Sequence, residues 1–84
     1  MSEYQLRTND GQFEFESVPG LRAFLKQNWP DHVMFTDDGH AVATVQDVEI
    51  ATAHDRRVLV WANRREAEND DGARAVAVLT RSGA

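Results

Sequence analysis

Two short segments near the start of the chain alternate between apolar and polar residues. Residues 4–8 and residues 12–16 each show this period of two, which is typical of a β-strand with one face in water. Between them lies Asn9-Asp10-Gly11, whose glycine can supply the positive φ of a tight turn. The pattern therefore predicts a hairpin of two paired strands.

A helical spacing of apolar residues follows. Ser17 is a suitable N-cap residue, and Pro30 ends the segment. The apolar positions between them are Val18, Leu21, Phe24 and Leu25. This spacing predicts a helix near residues 18–29, with Trp29 folding back over its end because the residue before a proline disfavours the α region.

From residue 32 onward the sequence favours β-structure. Strands are predicted over 32–36, 40–53, 57–68 and 73–81, because Val, Ile, Thr and Trp are concentrated there. Turns are predicted at Asp37-Asp38-Gly39, at His54-Asp55-Arg56 and at Asn69-Asp70-Asp71-Gly72.

Two parts of this β-rich region carry an additional expectation. The apolar phase of 40–53 shifts at Gln46-Asp47, which predicts a bulge or a short turn there. Residues 63–72 are predicted as a strand end followed by a loop, with a short helix as the alternative.

These elements predict an α+β fold. Residues 1–84 form a single small domain, because a chain of 84 residues is too short for two. We expect a single short helix packed on a mainly antiparallel sheet of five or six strands, in the order β-β-α-β-β-β-(β). The core residues expected on the sheet are Tyr4, Leu6, Phe13, Phe15, Val33 or Met34, Phe35, Ile50, Val58 and Val60.

Composition narrows the class of protein. The chain has no cysteine, which excludes disulfides and thiolate chemistry. No apolar run approaches the ~20 residues that span a bilayer, so we expect a soluble, cytoplasmic protein without membrane attachment. The net charge of −5 disfavours non-specific binding to nucleic acid. Acidic residues dominate 1–55, whereas 56–84 has an excess of arginine.

The sequence contains metal-ligating residue types, but not in a metal-binding pattern. The candidates are His32, His40, His54, Asp31, Asp37, Asp38 and Asp55. No two histidines have the spacing that would bring them together on one strand or helix face, so no metal or other cofactor is expected.

An acid–base pair is the second candidate chemistry. Asp37-Asp38-Gly39-His40 could place two carboxylates beside a proton shuttle. A solvated hairpin tip, however, does not separate two pKa values, so we expect no enzymatic activity.

The C-terminal strands are apolar at both parities, which is unusual for a sheet with one wet face. One helix cannot cover both faces. Either the sheet curls on itself and takes Trp61 into its core, or a second subunit or another protein covers the outer face. For the second case the predicted contact residues are Leu59, Trp61, Ala75, Ala77 and Leu79, with Arg57 and Arg65 at the rim.

The function expected from these features is a non-catalytic protein-binding module. It would act as a homodimer, or as a small acidic regulator or inhibitor of a larger assembly, for example of the phage or mobile-element type. The alternative is a module that binds single-stranded nucleic acid through Arg57, Trp61 and Arg65.

Overall fold

The described part of the chain folds into six strands and three helices. The computed structural model describes residues 3–68 and 75–81. The elements are β1 (Tyr4–Thr8), β2 (Gly11–Phe15), α1 (Val18–Asn28), β3 (Val33–Thr36), β4 (Ala41–Val42), α2 (Val45–Ala53), β5 (Val58–Trp61), α3 (Arg64–Glu68) and β6 (Ala77–Arg81).

The strands form one sheet in the order β2-β1-β6-β5-β3-β4. Every neighbouring pair is antiparallel. The last strand, β6, therefore lies in the interior of the sheet, between the first strand β1 and β5. The predicted α+β class with an antiparallel sheet is confirmed, although the predicted single helix is not.

Glycines shape the two predicted N-terminal turns. Gly11 has φ 139° at the end of the β1–β2 connection, and Gly39 has φ 92° between β3 and β4. Both values lie in the region that favours glycine, so the two turn predictions are confirmed. The turn predicted at 69–72 lies outside the described residues.

The first helix agrees with its prediction. α1 ends at Asn28, and the N–H of Trp29 donates to the carbonyl of Leu25 at 2.7 Å. Trp29 packs half-buried against the core at this helix end, as predicted. The buried face of α1 consists of Val18, Leu21 and Leu25.

The second helix contradicts the predicted strand over 40–53. Thr44 caps α2: its hydroxyl accepts from the N–H of Asp47 at 3.1 Å, and the Asp47 carboxylate accepts from the N–H of Thr44 at 3.2 Å. This reciprocal pair is a capping box. Val48 and Ala51, three positions apart, are buried on one side of the helix. The apolar phase shift at Gln46-Asp47 therefore marks a helix start and not a bulge.

The predicted strand over 57–68 is shorter than expected. β5 ends at Trp61, and α3 follows. Asn63 starts this helix by accepting the N–H of Glu66 at 2.8 Å through its side-chain oxygen. The alternative of a short helix within 63–72 is therefore observed for residues 64–68.

The core lies between α1, α2 and one face of the sheet. The register places Leu6 opposite Leu79, and Leu79 opposite Val58, so these side chains form one cross-strand row under the helices. The main buried cluster comprises Tyr4, Leu6, Val18, Leu21, Leu25, Met34, Val42, Val48, Ala51, Val58, Val60, Ala77 and Leu79. Two predicted core residues are exposed instead, Phe13 at 37% and Ile50 at 52%.

Candidate interaction site

The face of the sheet opposite α1 and α2 carries an apolar row across its central strands. Leu59 of β5 pairs with Val78 of β6 on one side and with Phe35 of β3 on the other. Directly opposite residues of antiparallel strands point to the same face. Arg7 continues the row beyond Val78, and Ala41 continues it beyond Phe35. We call this surface, together with Val33 and Trp61, the helix-free face, because α1 and α2 pack on the other side of the sheet; the short α3 follows Trp61 and contacts β5.

Trp61 is the most buried residue of the helix-free face. Only 5% of it is exposed, and it lies outside the main core cluster of the described residues. Its ring meets the Phe35 ring edge-on, with centroids 5.8 Å apart at 73°. Val33 is its cross-strand neighbour. Trp61 therefore belongs to a second, smaller apolar layer on the side of the sheet away from α1 and α2.

The residues around Trp61 are only partly buried. Val33, Phe35, Leu59 and Val78 are all half-buried, unlike the fully buried leucines of the opposite face. These four side chains present an apolar surface that still reaches solvent.

Two residues of the predicted contact set lie on the core side of the sheet. Ala77 and Leu79 are 2% and 0% exposed, and both belong to the core cluster under the helices. The prediction assigned residues of equal parity to one face of the β5–β6 pair. In the observed register, each pair joins an even-numbered residue to an odd-numbered one, so Leu59 shares its face with Val78 and not with Leu79.

The other predicted residues lie at or beside the helix-free face. Arg57 directly precedes β5, is exposed, and continues the alternation of Leu59 and Trp61. Ala75 is half-buried two residues before β6. Arg65 lies in α3, so the strand parity that was used to place it beside Trp61 does not apply.

Basic side chains border the helix-free face. Neither Arg7 nor Arg57 forms an ion pair with a carboxylate of residues 3–68 or 75–81. Arg56, in contrast, bonds Asp38 at 2.8 Å. A chain of net charge −5 therefore keeps two exposed arginines at this surface that no carboxylate among the described residues neutralises.

The prediction missed three members of this surface: Val33, Phe35 and Val78. Phe35 was assigned to the core, and Val33 was the alternative to Met34 there. The alternation within β3 contained the signal, since buried Met34 and Thr36 require Phe35 to point the other way.

The Asp37-Asp38-Gly39-His40 segment forms the β3–β4 turn. Thr36 organises it: its hydroxyl donates to Asp38 and accepts the N–H of His40 at 2.9 Å. The Thr36 hydroxyl, and after it the Arg56 guanidinium, hold the pKa of Asp38 below its usual range. A general acid near neutral pH needs a raised pKa, so this environment favours a carboxylate that stabilises the turn.

A cavity of about 260 Å³ lies between this turn and α2. Its lining includes His40 and His54, but within residues 3–68 and 75–81 no group of three histidine, aspartate or glutamate side chains could hold a metal ion. In the same part of the chain, no helix is both long and apolar enough to cross a bilayer.

Comparison of the chain with models of protein families, with curated proteins and with solved structures yielded no match.

Proposed function

We propose that the protein is a non-catalytic protein-binding module of the cytoplasm and that the helix-free face is its contact surface. The observation that carries the proposal is the half-buried row of Val78, Leu59 and Phe35, which spans three adjacent strands. Partly exposed apolar side chains in one contiguous row gain free energy when a partner removes them from water.

The composition of the surface favours a protein over a nucleic acid. The alternative of single-stranded nucleic acid needs an aromatic ring that bases can stack on. Trp61 is 5% exposed and its ring is in contact with Phe35, so it offers little surface to a base. The net charge of −5 also opposes a polyphosphate.

The border of the face indicates the chemistry of the partner. Arg7 and Arg57 are exposed and carry no ion pair within the described ranges. An apolar partner surface with carboxylates at its margin would match both features. The module would act by occupancy, as a regulator or inhibitor that blocks such a surface. Alternatively, the same face would bind a second copy of the chain and form a homodimer.

Leu59→Glu tests the contact surface. Leu59 lies at the centre of the row and is half-buried, so a glutamate there can keep its carboxylate near solvent while it disrupts an apolar contact. Ile50→Glu is the matched control, because Ile50 is 52% exposed on α2, on the opposite layer, and the substitution is the same. Circular dichroism and thermal denaturation verify that both variants fold.

Two measurements use these variants. Sedimentation velocity at high concentration detects self-association, and immobilised parent, Leu59→Glu and Ile50→Glu proteins are used to capture partners. We expect Leu59→Glu to abolish the dimer or the captured partner and Ile50→Glu to leave it unchanged. Partners that both variants retain, or that both lose, would contradict the proposal.

A further inference from the structure

The two edge strands of the sheet, β4 and β2, differ in how well they are protected against the addition of a further strand. The β4 edge is only two residues long, and the N–H groups of Ala43 and Thr44 beyond it bind the carboxylate of Asp47. The β2 edge is five residues long and, among the described residues, pairs with β1 alone. One side of β2 therefore presents unpaired backbone N–H and C=O groups, which can bind an added strand.

The β2 edge lacks most of the devices that block strand addition. Natural edge strands are commonly protected by proline, by lysine or by a bulge. β2 has neither proline nor lysine, and its five residues pair with β1 in an unbroken register. Glu14 is the only charged residue in the strand. The backbone is thus open to a strand that tolerates a neighbouring carboxylate.

An aromatic surface accompanies this edge on the helix side of the sheet. Phe13 is 37% exposed, and its ring centroid lies 5.0 Å from that of Phe24 on α1. Phe15 lies 5.4 Å from the same ring. An apolar side chain of an added strand can therefore pack beside Phe13 and reduce its exposure.

The charged side chains of β2 and of the residues on either side of it are acidic, while Arg7 lies opposite Gln12 on the adjacent strand β1. Asp10, Glu14 and Glu16 are exposed, and none of them forms an ion pair in the described part of the chain. No basic residue occurs between Arg7 and Arg22. A strand laid against β2 would place its alternate side chains near these carboxylates.

We propose that β2 binds an extended segment of another protein as a seventh strand, and that this segment alternates apolar and basic residues. The apolar side chains pack beside Phe13 on the helix side, and the basic side chains face Glu14 on the other side. Glu14 lies on the same side of the sheet as the helix-free face, but the β2 edge contains no residue of the row Val78, Leu59 and Phe35, so the inference does not depend on the proposed function.

A second copy of this chain does not fit the β2 edge. Pairing two β2 strands would bring the same set of carboxylates, Asp10, Glu14 and Glu16, from each chain to one seam. Like charges on adjacent strands are destabilising. Self-association through β2 would therefore overturn the assignment of a basic partner.

A capped peptide of alternating valine and lysine is the probe for this site. We expect the backbone amides of Gly11–Phe15 to shift in NMR titrations with this peptide and to become protected from hydrogen exchange. A block peptide with the same valines followed by the same lysines is the control for sequence pattern. We expect it to bind at least about tenfold more weakly, because only alternation matches the period of a strand.

Two charge-reversal variants distinguish binding at the β2 edge from attraction of the basic peptide to the net negative charge of the chain. Glu14→Lys should weaken binding of the alternating peptide by about tenfold or more. Glu49→Lys changes the net charge equally at an exposed position of α2, and we expect binding to stay within about twofold of the parent. Leu59→Glu should leave peptide binding unchanged, so this inference and the proposed function fail independently.

Three results would overturn the inference. The first is the absence of shifts at Gly11–Phe15 with millimolar peptide. The second is equal binding of the alternating and block peptides. The third is an equal loss of binding in Glu14→Lys and Glu49→Lys, which would show attraction to net charge alone.

Discussion

Leu59 on β5 lies directly opposite Val78 on β6, and this pair sets which residues of the central strands reach solvent. Its neighbours Val58 and Leu79 form the adjacent pair and are both fully buried beneath the helices. A shift of one residue in this register would exchange the two faces. The division between core and contact surface therefore depends on one strand pairing.

Replacement of two adjacent β6 residues by alanine tests this division. Leu79→Ala should lower the free energy of unfolding by about 2–5 kcal/mol, because it empties space in the core. Val78→Ala should cost only about 1 kcal/mol, because Val78 is half-buried on the helix-free face. Urea denaturation gives both values. Equal losses would contradict the observed register.

The burial of Trp61 can be measured in a Trp29→Phe variant, in which Trp61 is the only tryptophan. With 5% of the residue exposed, we expect blue-shifted fluorescence that acrylamide quenches weakly. Single-stranded oligonucleotide should not change the emission. Strong quenching by oligonucleotide would instead support the nucleic-acid alternative and would show that the ring is accessible.

Removal of the capping box of α2 should lower the free energy of unfolding. Thr44→Ala removes the acceptor for the N–H of Asp47 and should cost about 1 kcal/mol. Thr44→Ser keeps a hydroxyl at the cap and should retain most of the stability. Thermal denaturation followed by circular dichroism compares the two variants. An unchanged midpoint for Thr44→Ala would indicate that packing alone maintains α2.

Acid should destabilise the fold partly through Asp47. The N–H groups of Ala43 and Thr44 donate to its carboxylate and lower the pKa of Asp47 below its usual value. A lowered folded-state pKa contributes stability above the unfolded-state pKa of about 3.9, and this stability is lost as the pH falls through the folded-state pKa. Asp47→Asn should therefore reduce the loss of stability that the parent shows as the pH falls below about 4. Denaturation curves across this range provide the check, and equal slopes for parent and variant would contradict it.

The sequence was sufficient to predict the parts of the fold that depend on local pattern. The β1–β2 hairpin and α1 were predicted because alternation, turn glycine and helical spacing all lie within short segments. The α+β class followed from these elements.

The second helix was not predicted from the sequence because its amino-acid composition favours a strand, whereas its capping and packing favour a helix. Val45, Val48, Ile50 and Thr52 are β-branched and favour strands. The capping box from Thr44 to Asp47 and the spacing of Val48 and Ala51 were visible signals for a helix. Packing of this face against the sheet outweighs an intrinsic preference of a few tenths of a kcal/mol per residue.

The composition of the helix-free face was predicted only in part, because the sequence does not give the register between β5 and β6. The β5–β6 register depends on the path of the chain between Trp61 and Ala77, which contains α3. Alternation within one strand separates its two faces, but it does not say which face of the next strand matches. The predicted grouping of Leu59 with Trp61 on one face therefore agrees with the register, whereas Ala77 and Leu79 belong to the opposite face.

The central position of β6 has a consequence for biosynthesis. In the sheet, β6 alone joins the β1–β2 hairpin to the group of β5, β3 and β4. During translation these two halves leave the ribosome first and have no hydrogen-bonded link until β6 follows them. We therefore expect a nascent chain that stops before Ala77 to leave Leu6 and Val58 without Leu79, the cross-strand partner that they share, and to be a substrate for chaperones and proteases.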